Sequence, residues 1–291
     1  MKRLAIVILN YNTKDQLKEF IPPLYNSLAS YSAEIWVADN GSKDGSLNYL
    51  ADHFPAIKTI DLEKNWGFAE GYNLALSKIE AQYFLLLNSD VEADLENLWQ
   101  MVEYLDNHPT VAVCQPKVLS FHKKEYFEYA GASGGMIDQW GYPFCRGRIF
   151  DFVEKDEGQY DIECPVFWAS GAAFLIRSEI FKNLGGFDGS YFAHLEEIDL
   201  CWRIQRAGFL IMVIPQAKVF HVGGGTLGYQ SPFKTYLNFR NSLTTLLKNK
   251  PFLAGLTNIS FRLILDGFAA ILFISKRQWA SVGSIIKAHW H

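Results

Sequence analysis

The chain has 291 residues, 49% of them hydrophobic and 20% charged, enough for one large α/β domain or two modest ones and too apolar for a disordered protein. A net charge of −4 excludes broad nucleic-acid binding. The charge is uneven: 236–291 holds seven Lys or Arg and one Asp, a net +6 that leaves −10 elsewhere, which suggests an anionic partner such as a membrane surface near the tail.

Met1-Lys2-Arg3 precedes an apolar run in the manner of a secretory leader. The run at 4–9 is too short for one, lacks a cleavage site and stops at Asn10-Tyr11-Asn12, so it is read as the first strand. A helix is predicted over 14–31, entered through Thr13 as N-cap and disturbed at Pro22-Pro23. A strand at 34–38 ends in Asp39-Asn40-Gly41-Ser42-Lys43-Asp44-Gly45-Ser46, from which a helix runs to about 53. A short strand at 57–62, a helix at 71–79 and a strand at 83–87 follow, then a helix at 94–107 closed by His108-Pro109 and a strand at 111–118. This alternation predicts a parallel sheet built from βαβ units. Residues 125–163 have no sustained period and read as long loops and short antiparallel strands over one edge, a specificity region. A strand at 167–176, a helix at 196–207 stopped by Gly208 and strands at 209–214 and 218–220 complete the body, and everything beyond Tyr236 reads as helical. Cys114, Cys145, Cys164 and Cys201 form no C-x-x-C pair and read as reduced structural thiols of a cytoplasmic protein.

Four strand ends carry polar clusters: Asn10-Tyr11-Asn12, Asp39-Asn40-Gly41-Ser42, Asn65-Trp66-Gly67 and Asn88-Ser89-Asp90. Each alone is ordinary turn chemistry. In an open sheet the carboxyl ends of the strands line one crevice, so four successive clusters point to a ligand there. Asp39 can accept hydrogen bonds from a base or ribose. The apolar run Leu85-Leu86-Leu87 delivers Asp90 to an exposed strand end, suited to a metal facing a phosphorylated substrate, although a strand leading into a helix cap would look the same. No G-x-G-x-x-G follows the first strand, which argues against a nicotinamide dinucleotide.

These residues resemble the family 2 glycosyltransferases, most closely the bacterial rhamnosyltransferase-type branch. The resemblance is carried by Ile6-Val7-Ile8-Leu9-Asn10-Tyr11-Asn12, Val37-Ala38-Asp39-Asn40-Gly41-Ser42 with Asp44-Gly45-Ser46, and Asn65-x-Gly67-Phe68-Ala69-x-Gly71-x-Asn73. Leu85 to Glu92, Ser170-Gly171-Ala172-Ala173, Gly185-Gly186-Phe187-Asp188 and Glu196-Glu197-Ile198-Asp199-Leu200-x-x-Arg203 match in order and spacing, over roughly 4–240. The resemblance implies a GT-A fold, a mixed, mostly parallel nucleotide-binding α/β sheet flanked by helices. The chain then divides into a catalytic domain at 1–235 and a basic, amphipathic helical extension at 236–291. The implied activity is inverting transfer of a hexosyl or deoxyhexosyl group from a nucleoside-diphosphate sugar to a hydroxyl of a glycan or lipid-linked saccharide, in cell-surface polysaccharide synthesis.

By the same resemblance Asn10, Tyr11 and Asp39 hold the donor nucleoside, and Asn65, Gly67, Asn73 and Ser89 belong to donor-facing motifs. Asn88-Ser89-Asp90 occupies the family's D-x-D position, where a divalent cation, Mn²⁺ or Mg²⁺, meets the diphosphate. Asn replaces the first Asp, and its neutral amide attracts a cation less, so Asp90 is expected as direct ligand with Asn88 weaker or water-mediated. His221 falls where related enzymes supply a further ligand, with a loop histidine bonded to a carbonyl as the alternative. Glu196, Glu197 and Asp199 open a helix, which alone would satisfy its N-terminus and an Asp199–Arg203 pair. Glu196 and Glu197 point about 100° apart, so only one need face the crevice. The family's general base corresponds to Glu197, where Asp is usual, and Glu196 stays open as the alternative. Trp168 and Gly171 fall on the acceptor side, with the core an equal alternative for Trp168.

The stretch at Phe252–Ser275 is nearly long enough to span a bilayer, but Arg262 and Asp266 in its middle would each cost roughly 2.5–3.5 kcal/mol on insertion. With Lys276-Arg277, Trp279, Lys287 and Trp290 it reads as an interfacial helix, against the alternative of packing on the catalytic domain or on a second subunit of a homo-oligomer. The expected location is the cytoplasm, peripheral on the inner face of the cell membrane. Two other functions remain compatible with the residues: a sugar-nucleotide binding protein without turnover, and a sugar-1-phosphate nucleotidyltransferase, although the latter normally needs a basic Gly-rich loop after strand one.

Overall fold

The computed structural model describes residues 2–129, 132–149, 152–223 and 231–290. Gly224 of the His221 motif and the terminal His291 lie outside the described residues. In chain order the first half contains β1 (Lys2–Asn10), α1 (Lys14–Ser27), β2 (Ala33–Asp39), α2 (Ser46–His53), β3 (Lys58–Asp61), α3 (Gly67–Leu76), β4 (Ala81–Leu87), β5 (Val91–Glu92), α4 (Leu95–Asn107) and β6 (Val111–Ser120). Then come the short strands β7 (Gly135–Ile137), β8 (Pro143–Cys145), β9 (Arg148–Ile149), β10 (Phe152–Val153) and β11 (Cys164–Pro165). The chain closes with β12 (Ala173–Arg177), α5 (Ser178–Asn183), α6 (Glu196–Arg206), β13 (Leu210–His221), α7 (Pro232–Asn249), α8 (Phe252–Ser275) and α9 (Trp279–Trp290).

The main sheet has the order β11-β13-β6-β12-β4-β1-β2-β3, with β5 added beside β13. Pairings β1–β2, β1–β4, β2–β3 and β6–β13 are parallel, and antiparallel β12 sits between β4 and β6. Six strands therefore point one way, which makes the sheet mixed but mostly parallel. β1 is central and covered on both faces: Leu4, Ile6 and Ile8 join one core cluster, Ala5 and Val7 the other. The irregular stretch after β6 builds the predicted small antiparallel sheet, β10-β9-β8-β7. All four cysteines are free.

Several local expectations are corrected. Thr13 does not cap α1; its hydroxyl donates back to Asn10 Oδ1, and Asp44 Oδ2 takes the Lys14 amide at 2.8 Å. The helix runs through Pro22 and Pro23, because the carbonyls those prolines leave unpaired, on Lys18 and Glu19, lie on its exposed side. The helix expected from 71 begins at Gly67, where Phe192 O accepts the Phe68 amide (2.6 Å), a cap supplied from over a hundred residues away. Residues 167–172 are not strand; Ser170 N instead donates to the buried Gln115 Oε1 (2.7 Å). The two strands expected near 209–220 are one, β13, with a register shift between Ile214 and Lys218.

Candidate active site

The ends of β1 and β2 are laced together. Asn10 Nδ2 donates to Asp39 Oδ1 (2.6 Å) and Ser42 Oγ (3.0 Å), and the Ser42 amide donates to Asp39 Oδ2 (2.9 Å). Asn40 extends the lattice toward α3: its Oδ1 accepts from Trp66 N (2.9 Å), and its Nδ2 reaches Gly67 O (2.9 Å) and Asn65 Oδ1 (3.2 Å). Gly67 has φ +79°, and a Cβ there would lie 2.5 Å from Phe192 O, so only glycine fits. Tyr11 stays partly exposed above this lattice. Asn73 is committed elsewhere. Its amide donates to Phe187 O (2.8 Å) and accepts from Phe187 N (3.0 Å), pinning the Gly185-Gly186-Phe187-Asp188 turn to α3.

At the end of β4, β5 pairs antiparallel with the end of β13, setting Val91 opposite His221. Val222 N donates to Asp90 O (3.0 Å). This clamp brings together side chains 131 residues apart: His221 Nε2 lies 3.2 Å from Asp90 Oδ1 and 3.5 Å from Asn88 Nδ2. Buried Glu128 stands behind, its Oε2 3.6 Å from His221 Nδ1. Burial disfavours charge on Asp90, but the hydrogen bond and charge of His221 together with backbone N–H groups outweigh it and hold the carboxyl below its usual range. Burial likewise opposes the imidazolium, yet the flanking Asp90 and Glu128 raise His221 to about 10.

The implied cation can be tested against these side chains. Among the described residues no three His, Cys, Asp or Glu side chains converge on one point. Asp90 and His221 do converge; a cation would take the place of the Nε2 proton that the ring holds between its two carboxylates, and the second ring nitrogen faces Glu128, the usual outer partner of a metal-bound histidine. Two protein donors leave most coordination positions to diphosphate oxygens. The donor set fits.

Glu196 and Glu197 begin α6. One carboxyl oxygen of each, Oε2, is buried with no hydrogen-bond partner. Burial raises both carboxyls; the Glu197 charge then pushes Glu196 well above the carboxylate range, while a hydrogen bond from Glu196 restrains Glu197. Both carboxyls are thus held above the usual carboxylate range and titrate as a pair. Burial raises the Tyr72 phenol, whose hydroxyl lies within reach of Leu87 O (3.3 Å) at the end of β4.

The loop leading into the pair is strained. Phe192, His194 and Leu195 take φ values of 64°, 72° and 69°, unfavourable for side-chain-bearing residues. α7 holds it there: buried Asn241 Nδ2 lies within hydrogen-bond reach of Tyr191 O (3.1 Å), Ala193 O (2.9 Å) and His194 O (2.7 Å). Asp199 anchors α6, accepting from Arg203 Nε (2.9 Å), Lys248 Nζ (3.0 Å) and Asn249 Nδ2 (2.8 Å). Trp168 is buried, its indole N–H given to Met136 O (2.9 Å), and Gly171 lies next to it in chain with partial exposure. Sequence reasoning missed Glu128, a lone acid in an irregular stretch, and Asn241, which has no motif around it. His194, whose buried Nε2 has no partner, had a faint signal in its place beside the acids.

Comparison with known proteins gives the family and the fold. The model of "Glycosyl transferase family 2" matches residues 5–185. The N-acetylglucosaminyl-diphospho-decaprenol L-rhamnosyltransferase of Mycobacterium tuberculosis is 25% identical over 75% of this chain and 75% of its own. The dTDP-rhamnosyl transferase RfbF of Shigella flexneri is 24% identical over 89% of this chain and 85% of its own. Among solved structures, GalNAc-T7 with UDP, GalNAc and Mn²⁺ superposes with a TM-score of 0.67 at 16% identity, over 84% of this chain and 48% of that one. The chain thus spans about half the length of that structure, and the likeness shows a shared GT-A fold. With the family model covering more than half its length and its sheet of the same architecture, this chain belongs to glycosyl transferase family 2 and is a nucleotide-sugar-dependent glycosyltransferase.

Proposed function

We propose that the enzyme moves a deoxyhexosyl group, rhamnosyl first among candidates, from a nucleoside-diphosphate donor to a hydroxyl of a lipid-linked saccharide at the cytoplasmic face of a membrane. The rhamnosyl donor and polyprenyl-diphosphate acceptor named for the two relatives support this choice. Residues 1–235 act as the catalytic unit and 236–291 as its membrane-facing extension. Asn10, Tyr11 and Asp39 cradle the nucleoside, with Asn65 and Gly67 shaping the floor and Asn73 bracing it from behind. Ser89 and Asn88 line the diphosphate. Asp90 and His221 would hold a divalent cation, with the Asn88 amide oxygen nearby, and the cation would neutralise charge on the leaving diphosphate. An N/O donor pair suits Mn²⁺ at least as well as Mg²⁺.

Glu197 takes the proton of the acceptor hydroxyl as that oxygen bonds to the anomeric carbon; the bond from that carbon to the diphosphate oxygen breaks on the opposite face. One displacement inverts the configuration. Glu196, kept protonated, donates to Glu197 and holds its charge in place. The backbone at Gly171 forms the acceptor wall, with Trp168 packed behind it. The adjacent Glu196 and Glu197 carboxyls at the head of α6, each with one buried oxygen that has no hydrogen-bond partner, carry the reading, because a binding protein has no use for an unsatisfied base held out of water. A panel of dTDP-, UDP- and GDP-sugars with a polyprenyl-linked acceptor tests it. Glu197→Gln is expected to cut turnover by about 10²–10⁴ while donor affinity holds. Donor binding without turnover by the unmodified enzyme would favour the binding-protein alternative.

A further inference from the structure

α8 is amphipathic with its polarity reversed. Its buried positions Gly255, Asn258, Arg262 and Asp266 recur every three or four residues, so they form one stripe facing the protein. That stripe holds both charges of the helix. Arg262 Nη1 donates to Ser242 Oγ of α7 (2.8 Å), and its guanidinium stacks 3.8 Å from the Tyr142 ring centre. Asp266 accepts from Tyr142 Oη (2.9 Å) and lies 3.0 Å from His289 Nε2 of α9, and Asn258 Nδ2 donates to Gln139 O (2.7 Å). What faces outward is apolar: Leu263, Phe268, Ile271 and Leu272 are each 53–63% exposed. No charge interrupts that face along 24 residues, about 36 Å. Lys250 stands before the helix, and Lys276, Arg277 and the largely exposed Trp279 stand after it.

We propose that this outer face of α8 lies flat on the surface of an anionic bilayer. Charge decides the occupant. A second copy docked face to face would oppose two tails of net +6, whereas anionic headgroups attract each of them. Flanking cations and a rim tryptophan are where an interfacial helix carries them. The inner stripe decides the orientation. A crossing helix would expose the Arg262–Asp266 pair to hydrocarbon and tear it from Ser242 of α7, His289 of α9 and Tyr142 of the catalytic domain. The inference rests on the reading that the acceptor is presented at a membrane, but vesicle binding needs no donor, acceptor or cation, so either can fail alone.

The test is flotation of the full chain with vesicles of phosphatidylcholine alone, or mixed in equal parts with phosphatidylglycerol. Salt-sensitive binding to the mixed vesicles, released by an alkaline wash, is expected. Leu263→Glu combined with Ile271→Glu should weaken it by about a hundredfold, since each aliphatic side chain withdrawn from water is worth about tenfold. Both sites are exposed, so the melting curve and transfer to a water-soluble acceptor should be unchanged. No binding by the unmodified chain, equal binding by the double variant, or retention after the alkaline wash would each overturn the proposal. So would a dimer that the double substitution dissolves.

Discussion

Replacing Asn241 with alanine should disable the enzyme without touching donor or cation. The residue is 1% exposed, and its amide group faces three carbonyls of the loop that carries Glu196 and Glu197. Two N–H bonds shared among three acceptors, each net worth about 0.5–1.5 kcal/mol, are lost; Tyr191 O keeps Arg240 Nη2 (3.0 Å), while the partly buried Ala193 and His194 carbonyls lose their Asn241 donor. Three strained φ values also lose their restraint and can relax, which returns part of that energy by distorting the loop. The expected cost is about 2–4 kcal/mol, a fall in Tm of roughly 5–15 °C. The larger effect is on catalysis, where a shift of about 1 Å in a base costs on the order of a hundredfold. Urea titration gives the stability term, and initial rates well below the new Tm separate kcat from the donor KM. kcat should fall by much more than the donor KM rises, because Asn10, Asp39 and Asp90 sit on other elements, while the loop meets the donor side through Phe192 O at the start of α3. Rates within twofold of the parent, in protein shown to be folded, would refute the idea that α7 holds the base loop in its strained form.

Other expected outcomes follow from the same geometry. The raised Glu197 carboxyl means kcat/KM is lost, as pH falls, well above the usual range of a glutamate; Glu196→Ala, which removes the restraining hydrogen bond, should move that limb higher still, and an unmoved limb would argue against the division of roles. The native state holds protons on this pair that the unfolded chain releases, so stability falls as pH climbs from about 4.5 through the raised native values, and Glu196→Gln should raise Tm at neutral pH; a lower Tm would contradict the sign. Asp90→Ala should abolish cation-dependent binding of the nucleoside diphosphate, measured by calorimetry with and without Mn²⁺, and persistence of the dependence would move the cation elsewhere. Glu128→Gln, behind His221, should weaken Mn²⁺ by about 10- to 100-fold, and an unchanged titration would leave Glu128 no role in orienting the ring. Gly67→Ala, at φ +79° against Phe192 O, should cost more than about 1 kcal/mol, and a neutral result would mean the loop yields freely.

The sheet was legible because β1, β2 and β4 end where apolar residues give way to Asn, Asp and Gly, and β1 and β4 read directly as buried runs. Asp90 and His221 could be named in advance and are found 3.2 Å apart. What stayed hidden depends on partners distant in the chain. The true start of α3 is capped by Phe192 O, the N-terminus of α1 by Asp44 and the turn at Phe187 by Asn73. No window of sequence contains both halves of such a contact. The inward stripe of α8 was visible as a charged pair at i and i+4, but its direction was not, since period alone cannot say which face meets the protein.

The Asn241 amide and the Lys248–Asn249 anchor on Asp199 tie the loop and helix of the acids to residues nearly fifty positions downstream. A growing polypeptide can assemble most of its sheet by β13 and still lack the residues that fix its proton acceptor. Activity should therefore switch on only after residue 249 clears the ribosome, just before α8 begins.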